Sequence, residues 1–209
     1  MLNTKNIFVL APHTDDGEWG CGASIAKYIA EGKMVTYVAF STCAQSLPSN
    51  LPTDTLLNEC KEATHALGIR DLRFFDFQVR YFPSVRQEIL EALVKLNDEY
   101  HPDTVLLPAQ NDKHQDHRVI FAEGCRAFKN SNILGYELPW NNTRFQPTYF
   151  ETVTEDHLAA KQDALKKYKS QMHRKYMNDE LVRSVAKLRG IQCGADLAEA
   201  FEIYTLRGI

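Results

Sequence analysis

The chain has 209 residues, with 27 acidic against 24 basic side chains and a formal net charge of -3. A chain of this length fits one α/β domain that buries roughly 70% of the surface its unfolded form exposes, so neither a disulfide nor a structural metal is needed to hold a core. The slight acidity excludes the overall basic field that gathers nucleic acid or anionic lipid, and makes a small molecule the expected partner.

In chain order, the opening MLNTKNIFVLAPH carries an apolar run too short for a secretory leader, and no later stretch reaches the roughly 20 apolar residues of a membrane span. IFVLA (7 to 11) reads as a strand, followed by a helix from about Gly22 to Glu31, a strand MVTYVAFS (34 to 41) and a helix from about Thr55 to Leu67. LRFFDF (72 to 77), a helix from about Ser84 to Tyr100, TVLLPA (104 to 109) and a helix from about His117 to Phe128 continue the alternation. Four βα units in succession predict a parallel sheet, and strands apolar at every position predict helices on both faces. Gly32 and Gly68 stand where helix C-terminal caps belong, and Ser84 where an N-cap would. After Asn130 the pattern changes to strands ILGYEL (133 to 138) and TYFETV (148 to 153) around the turn-rich loop PWNNTRFQP, a candidate pocket wall. Thr154 then caps a helix running to about Ser170, and FEIYTL (201 to 206) closes the chain. The cations Lys161, Lys166, Lys167, Lys169, Arg174 and Lys175 read as a solvated face. Cys21, Cys43, Cys60, Cys125 and Cys193 are odd in number, scattered and without CxxC spacing, which fits reduced thiols in a cytoplasmic protein.

Chemistry concentrates in two loops. PHTDDGE (12 to 18) follows the first strand and puts one imidazole and three carboxylates within a few residues, a repulsive grouping that a divalent cation would relieve. NDKHQDHR (111 to 118) follows the fourth strand and reaches the same carboxyl edge of the sheet, where open parallel sheets bind ligands. His13, Asp16 and His117 would supply two imidazole nitrogens and one carboxylate, leaving a fourth tetrahedral position for water, with Asp15 as the natural proton acceptor. Glu18 reads as a carboxylate near the helix macrodipole.

With these residues in place, the sequence resembles the PIG-L/LmbE-like N-acetylglucosaminyl deacetylases. PHTDDGEWGCGA and HQDH match the family's two motifs, and NECKEATHALGI (58 to 69) and YKSQ (168 to 171) extend the resemblance over most of the chain. It implies His13, Asp16 and His117 as metal ligands, Asp15 as general base, His114 as the residue stabilising the tetrahedral intermediate and Asp116 as a supporting catalytic carboxylate. It also implies a three-layer α/β sandwich with a mostly parallel Rossmann-like sheet, C-terminal strands walling the pocket, and one Zn2+ or another divalent ion such as Fe2+. The implied reaction removes an N-acetyl group from an amino sugar or sugar conjugate. A homo-oligomer is compatible with the sequence. Thr14 and Ala23 depart from the family's usual Pro and Gly, and Leu56 from its usual Arg, while the loop FSTCAQSLPSN lacks the usual Thr-x-Gly stretch. These departures leave the substrate less defined than the metal chemistry.

Three rivals are weighed against this reading. The glycines at 17, 20 and 22 form GxxGxG rather than the dinucleotide-binding GxGxxG. Ser24 lies too far past the strand to be a nucleophile elbow. A small-molecule or nucleotide-binding protein that keeps the metal without turnover would have no need of Asp15 and His114. Trp19, Arg80, Tyr81, Phe82, Trp140 and Arg144 are candidates for the sugar pocket.

Overall fold

A computed structural model describes residues 4–207. Five parallel strands, β1 (Asn6–Ala11), β2 (Met34–Ala39), β3 (Asp71–Phe74), β4 (Thr104–Pro108) and β5 (Asn132–Tyr136), continue into β7 (Ala198–Thr205) and β6 (Tyr149–Thr152), in the order β3-β2-β1-β4-β5-β7-β6. β7 pairs antiparallel with both of its neighbours.

The expected three layers are present. Along β1, Ile7, Val9 and Ala11 face one core, shared with α1 (Asp16–Ala30), α2 (Thr55–Ala66), α5 (Glu155–Lys166) and α6 (Asp179–Cys193). Phe8 and Leu10 face the other, shared with α3 (Arg86–Tyr100) and α4 (Gln115–Ala127). Side chains alternate across a strand, so a strand buried on both faces must be apolar throughout. β3 departs from that expectation: it ends at Phe74 and stays half-exposed because it is the sheet's edge. Its continuation, Phe75 and Phe77, leaves the sheet to stack on Phe40.

Gly32 and Gly68 take the left-handed conformation of C-caps, and Thr154 accepts from His157 N–H as the N-cap of α5, as expected. Ser84 does not cap α3; it lies in a 3-10 turn (Phe82–Ser84), and Val85 occupies the cap position. α6 has no counterpart in the sequence reading. Its buried positions include Arg189 and Gly190, while Leu188 and Ile191 are exposed, so its apolar pattern is scrambled. Arg189 is buried because Glu137 pairs with it at 2.5 Å.

α1 begins at Asp16, a turn and a half before the expected Gly22, and is kinked at Cys21, whose φ of -147° is not helical. The kink frees backbone donors, and the Glu199 carboxylate of β7 accepts from Ala23 N–H at 3.2 Å and Ser24 N–H at 2.7 Å. Lys161 of α5 pairs with Glu199 at 2.6 Å. Lys161 is therefore buried, contrary to the solvated face expected for it. α1 lies tightly on the sheet: a Cβ at Gly20 would come within 2.2 Å of the Tyr136 ring and one at Gly17 within 2.6 Å of Tyr37. Small residues admit this approach, and Ser24, fully buried inside the helix, takes no nucleophile position.

Candidate active site

The strand order reverses direction between β1 and β4, and the crevice outside their carboxyl ends is where such folds bind ligands. Both motifs arrive there. The first loop leaves β1 and delivers His13, Asp15 and Asp16 as α1 starts; the second leaves β4 and delivers Asp112, His114, Asp116 and His117 as α4 starts.

Three atoms from these loops form a nearly equilateral triangle. His13 Nδ1 lies 3.1 Å from Asp16 Oδ2, His117 Nε2 lies 3.2 Å from the same oxygen, and the two nitrogens are 3.1 Å apart. Tetrahedral zinc with ligands at 2.0–2.2 Å spaces them by about 3.3 Å, so the donor set fits such an ion in both type and spacing. His114 also brings a ring nitrogen within 4.8 Å of those of His13 and His117. Asp16 completes the tighter set.

Each candidate ligand histidine is held from behind by a carboxylate. His117 Nδ1 contacts Asp112 Oδ2 at 2.7 Å, and His13 Nε2 contacts Asp116 Oδ2 at 3.0 Å. Such pairs fix ring orientation and raise ligand basicity. Asp116 also accepts from the backbone N–H groups of Arg80 at 2.6 Å and Phe82 at 3.3 Å, which ties the loop after β3 to the site. Burial disfavours charge on the rings of His13 and His117, but the carboxylates outweigh it: His13 is raised and His117 is pushed up to about 10. Asp16, buried against both rings, is held well below the usual carboxylate range.

Asp15 and Asp16 do not lie in an extended segment with side chains opposed by alternation. Asp15 has helical backbone angles and Asp16 opens α1, so the helix turn separates their carboxylates. Asp16 accepts from His13 N–H at 2.9 Å and joins the triangle, whereas Asp15 lines the cavity and makes no capping hydrogen bond. Burial and the adjacent Asp16 push Asp15 up to about 6. His114 caps α4, its Nδ1 accepting from Asp116 N–H at 3.2 Å. Burial and the neighbouring rings of His13 and His117 lower it to about 4, so near neutral pH it is uncharged, with its proton on Nε2. Glu18 is no surface carboxylate. It is buried between the Tyr37 and Tyr168 hydroxyls, which also reach the Thr14 carbonyl, and burial pushes it up to about 8.

His13, Asp15, Asp16, His114 and His117 form the floor of a cavity of about 510 Å³, within the usual range for small-molecule sites. Of the sequence's pocket candidates, Arg80 and Trp140 line it. Trp19 is buried beneath, edge-on to Trp140, Phe82 is fully buried, and Tyr81 and Arg144 are not part of the lining. The C-terminal strands do not wall the cavity; they extend the sheet. The wall comes from the loop after β5 and from the segment between α5 and α6, with Tyr176 stacked on Trp140 at 3.9 Å and Gln171 and Arg174 beside them. Arg174 thus belongs to the cavity rather than to a solvated helix face. Leu56 also lines it, so that departure does fall on the substrate side. Asp112 was not singled out in the sequence; its signal was a carboxylate five residues before His117 in the same motif. The stretches NECKEATHALGI and YKSQ meet where Glu59 accepts from both the N–H and the hydroxyl of Ser170, at 2.8 and 2.6 Å.

The PIG-L family model, described as GlcNAc-PI de-N-acetylase, matches residues 8–128. The "Uncharacterized deacetylase YaiS" of Escherichia coli (strain K12) is 31% identical over 175 residues, spanning 79% of this chain and 91% of that protein. Among solved structures, the N,N'-diacetylchitobiose deacetylase of Pyrococcus horikoshii superimposes with a TM-score of 0.77 at 22% identity, over 96% of this chain and 84% of that one. The 4-carboxy-2-hydroxymuconate hydratase GalB of Pseudomonas putida KT2440 does so with a TM-score of 0.83 at 20% identity, over 98% of each chain. The fold is thus shared by enzymes of different reactions, whereas the family match covers more than half of this chain and contains both motif loops. The chain belongs to the PIG-L family of de-N-acetylases.

Proposed function

We propose that the protein is a zinc-dependent amide hydrolase that removes an N-acetyl group from an amino sugar or sugar conjugate, releasing acetate and a free amine. The observation that carries this reading is the triangle of His13, Asp16 and His117 on a cavity floor that also presents the Asp15 carboxylate and the ring of His114. The family match and the relatives described as deacetylases support the same class of reaction.

His13 Nδ1, Asp16 Oδ2 and His117 Nε2 would hold the ion. When bound, it lowers the pKa of water to about 7 and polarises the acetyl carbonyl. Asp15 accepts the proton of the attacking water, a task suited to a carboxyl raised towards neutrality. His114, uncharged and protonated on Nε2, donates to the oxygen on which charge develops as the carbonyl becomes tetrahedral. The amine departs with the proton that Asp15 collected. Asp112 and Asp116 hold the backs of the rings, Asp112 also accepting from the Asn141 amide and Asp116 from backbone N–H groups, so they are positioning residues.

Acetate and amine release from a panel of N-acetylated sugars and glycosides, with metal analysis of the same protein, tests the proposal. About one equivalent of metal and release from at least one amide are expected. Turnover that persists in metal-free protein would refute the metal's role. Hydration of an unsaturated acid with no amide cleaved would favour the reaction of the hydratase that shares the fold.

A further inference from the structure

Two guanidiniums face the cavity from separate segments, Arg80 after β3 and Arg174 between α5 and α6. Arg80 has a φ of +74°, a left-handed conformation that strains a non-glycine residue and persists where surrounding structure enforces it. Here the enforcing group belongs to the site itself: Asp116, which holds His13, accepts from Arg80 N–H at 2.6 Å. The guanidinium then crosses to the loop after β2, with Nη2 donating to Ser46 Oγ at 3.2 Å. Arg174 is steadied by Gln171 Oε1, 2.5 Å from its Nε, and by the Tyr176 ring, 5.9 Å away. The side chains that contact the two guanidiniums are neutral, and among the described residues neither guanidinium forms an ion pair.

The charge balance of the cavity follows. Asp15, on which the Arg174 charge acts, and Asp16 are the carboxylates among its described lining residues, Asp112 and Asp116 lie behind the histidine rings, and none of the four forms an ion pair with either guanidinium. The two guanidiniums are left to face the substrate. From this geometry we infer that Arg80 and Arg174 select an acidic substrate, one whose sugar carries a phosphate or carboxylate group beside the N-acetyl amide. Planar guanidinium forks bind either anion through paired N–H donors, so the chemistry recognised is a cluster of anionic oxygens. The inference rests on the deacetylase reading for the amide and on the two arginines for the acid.

The test compares N-acetylglucosamine with its 6-phosphate and with its 6-carboxylate (the uronic acid), measuring kcat and KM for amine release by the metal-loaded protein, R80Q, R174Q and R80K. At least one acid is expected to exceed the neutral sugar in kcat/KM by about tenfold or more, chiefly through KM, the scale of one charge-assisted hydrogen bond. R80Q and R174Q should shrink that ratio, and R80K should keep part of it. The phosphate and carboxylate arms identify which acid is preferred. Calorimetric titration with glucosamine 6-phosphate against glucosamine gives a readout independent of turnover. If no amide is cleaved but the phosphate binds and R80Q and R174Q weaken it, the deacetylase reading fails and anion selection stands. Equal handling of neutral and acidic sugars, or equal losses for both in the variants, would overturn the inference. So would anion binding that both variants retain and chelation abolishes, since the anion would then sit on the metal.

Discussion

The floor of the cavity and its rim are built differently. On and just beneath the floor, His13, Asp16, Asp116 and His117 are buried and each has at least two polar partners, at least one of them from the other motif loop. On the rim, Arg80 and Arg174 are exposed and their guanidiniums are held only by neutral groups, on loops belonging to neither motif. An over-determined floor suits chemistry that demands fixed geometry, and a sparsely held rim is the part that can change with substrate.

The sharpest way to break this contrast is within the floor. Asp15→Asn and His114→Ala should each retain metal and fold while losing about 10²- to 10⁴-fold in turnover, because their work begins only when a proton moves or charge develops. Metal content and kcat measured on the same samples check this; loss of metal from Asp15→Asn would exchange its role with that of Asp16. A smaller effect is expected one layer back. Asp112→Asn removes the carboxylate behind His117 and should weaken metal affinity by roughly 10- to 100-fold, read by competition with a chelator of known affinity.

Acidity probes the same layer without mutation. In the metal-free protein the carboxylates raise the rings of both His13 and His117, the latter up to about 10, so at neutral pH His117 carries a proton that a metal must displace. Affinity should therefore fall as pH falls, by about tenfold per pH unit for each displaced proton between pH 6 and 8. A flat profile would mean that His117 is already unprotonated. The smallest effect is expected outside the rim: Arg144→Ala, a pocket candidate in the sequence that the cavity excludes, should change kcat/KM by less than about twofold, within the range of ordinary surface substitutions.

The same contrast explains what was legible in the sequence. The strands β1 to β5 and the helices between them announce themselves by local periodicity, and the floor is spelled by two compact motifs at strand ends. The early start of α1 was hidden because PHTDDGE offers polar groups and a glycine where a helix signal was sought. α6 was hidden because a buried Arg189 and an exposed Ile191 invert the usual pattern, through a carboxylate 52 residues away. Lys161 and Arg174 look alike in a run of cations, yet one is buried by Glu199 and the other lines the cavity. No local rule separates residues whose environment is set by distant partners.

The kink in α1 has a consequence for the order in which the site can be made. The proposed ligands all fall within the first 117 residues, but the N–H groups of Ala23 and Ser24, released by the kink at Cys21, are capped by Glu199, 176 and 175 residues further along, on a strand that inserts between β5 and β6. During synthesis the nascent chain exposes both motif loops long before the strand that secures α1 emerges from the ribosome. A chain halted at residue 128 would carry both motifs and lack this brace, and contacts of such sequence separation are slow to close. A firm arrangement of the proposed ligands therefore awaits β7.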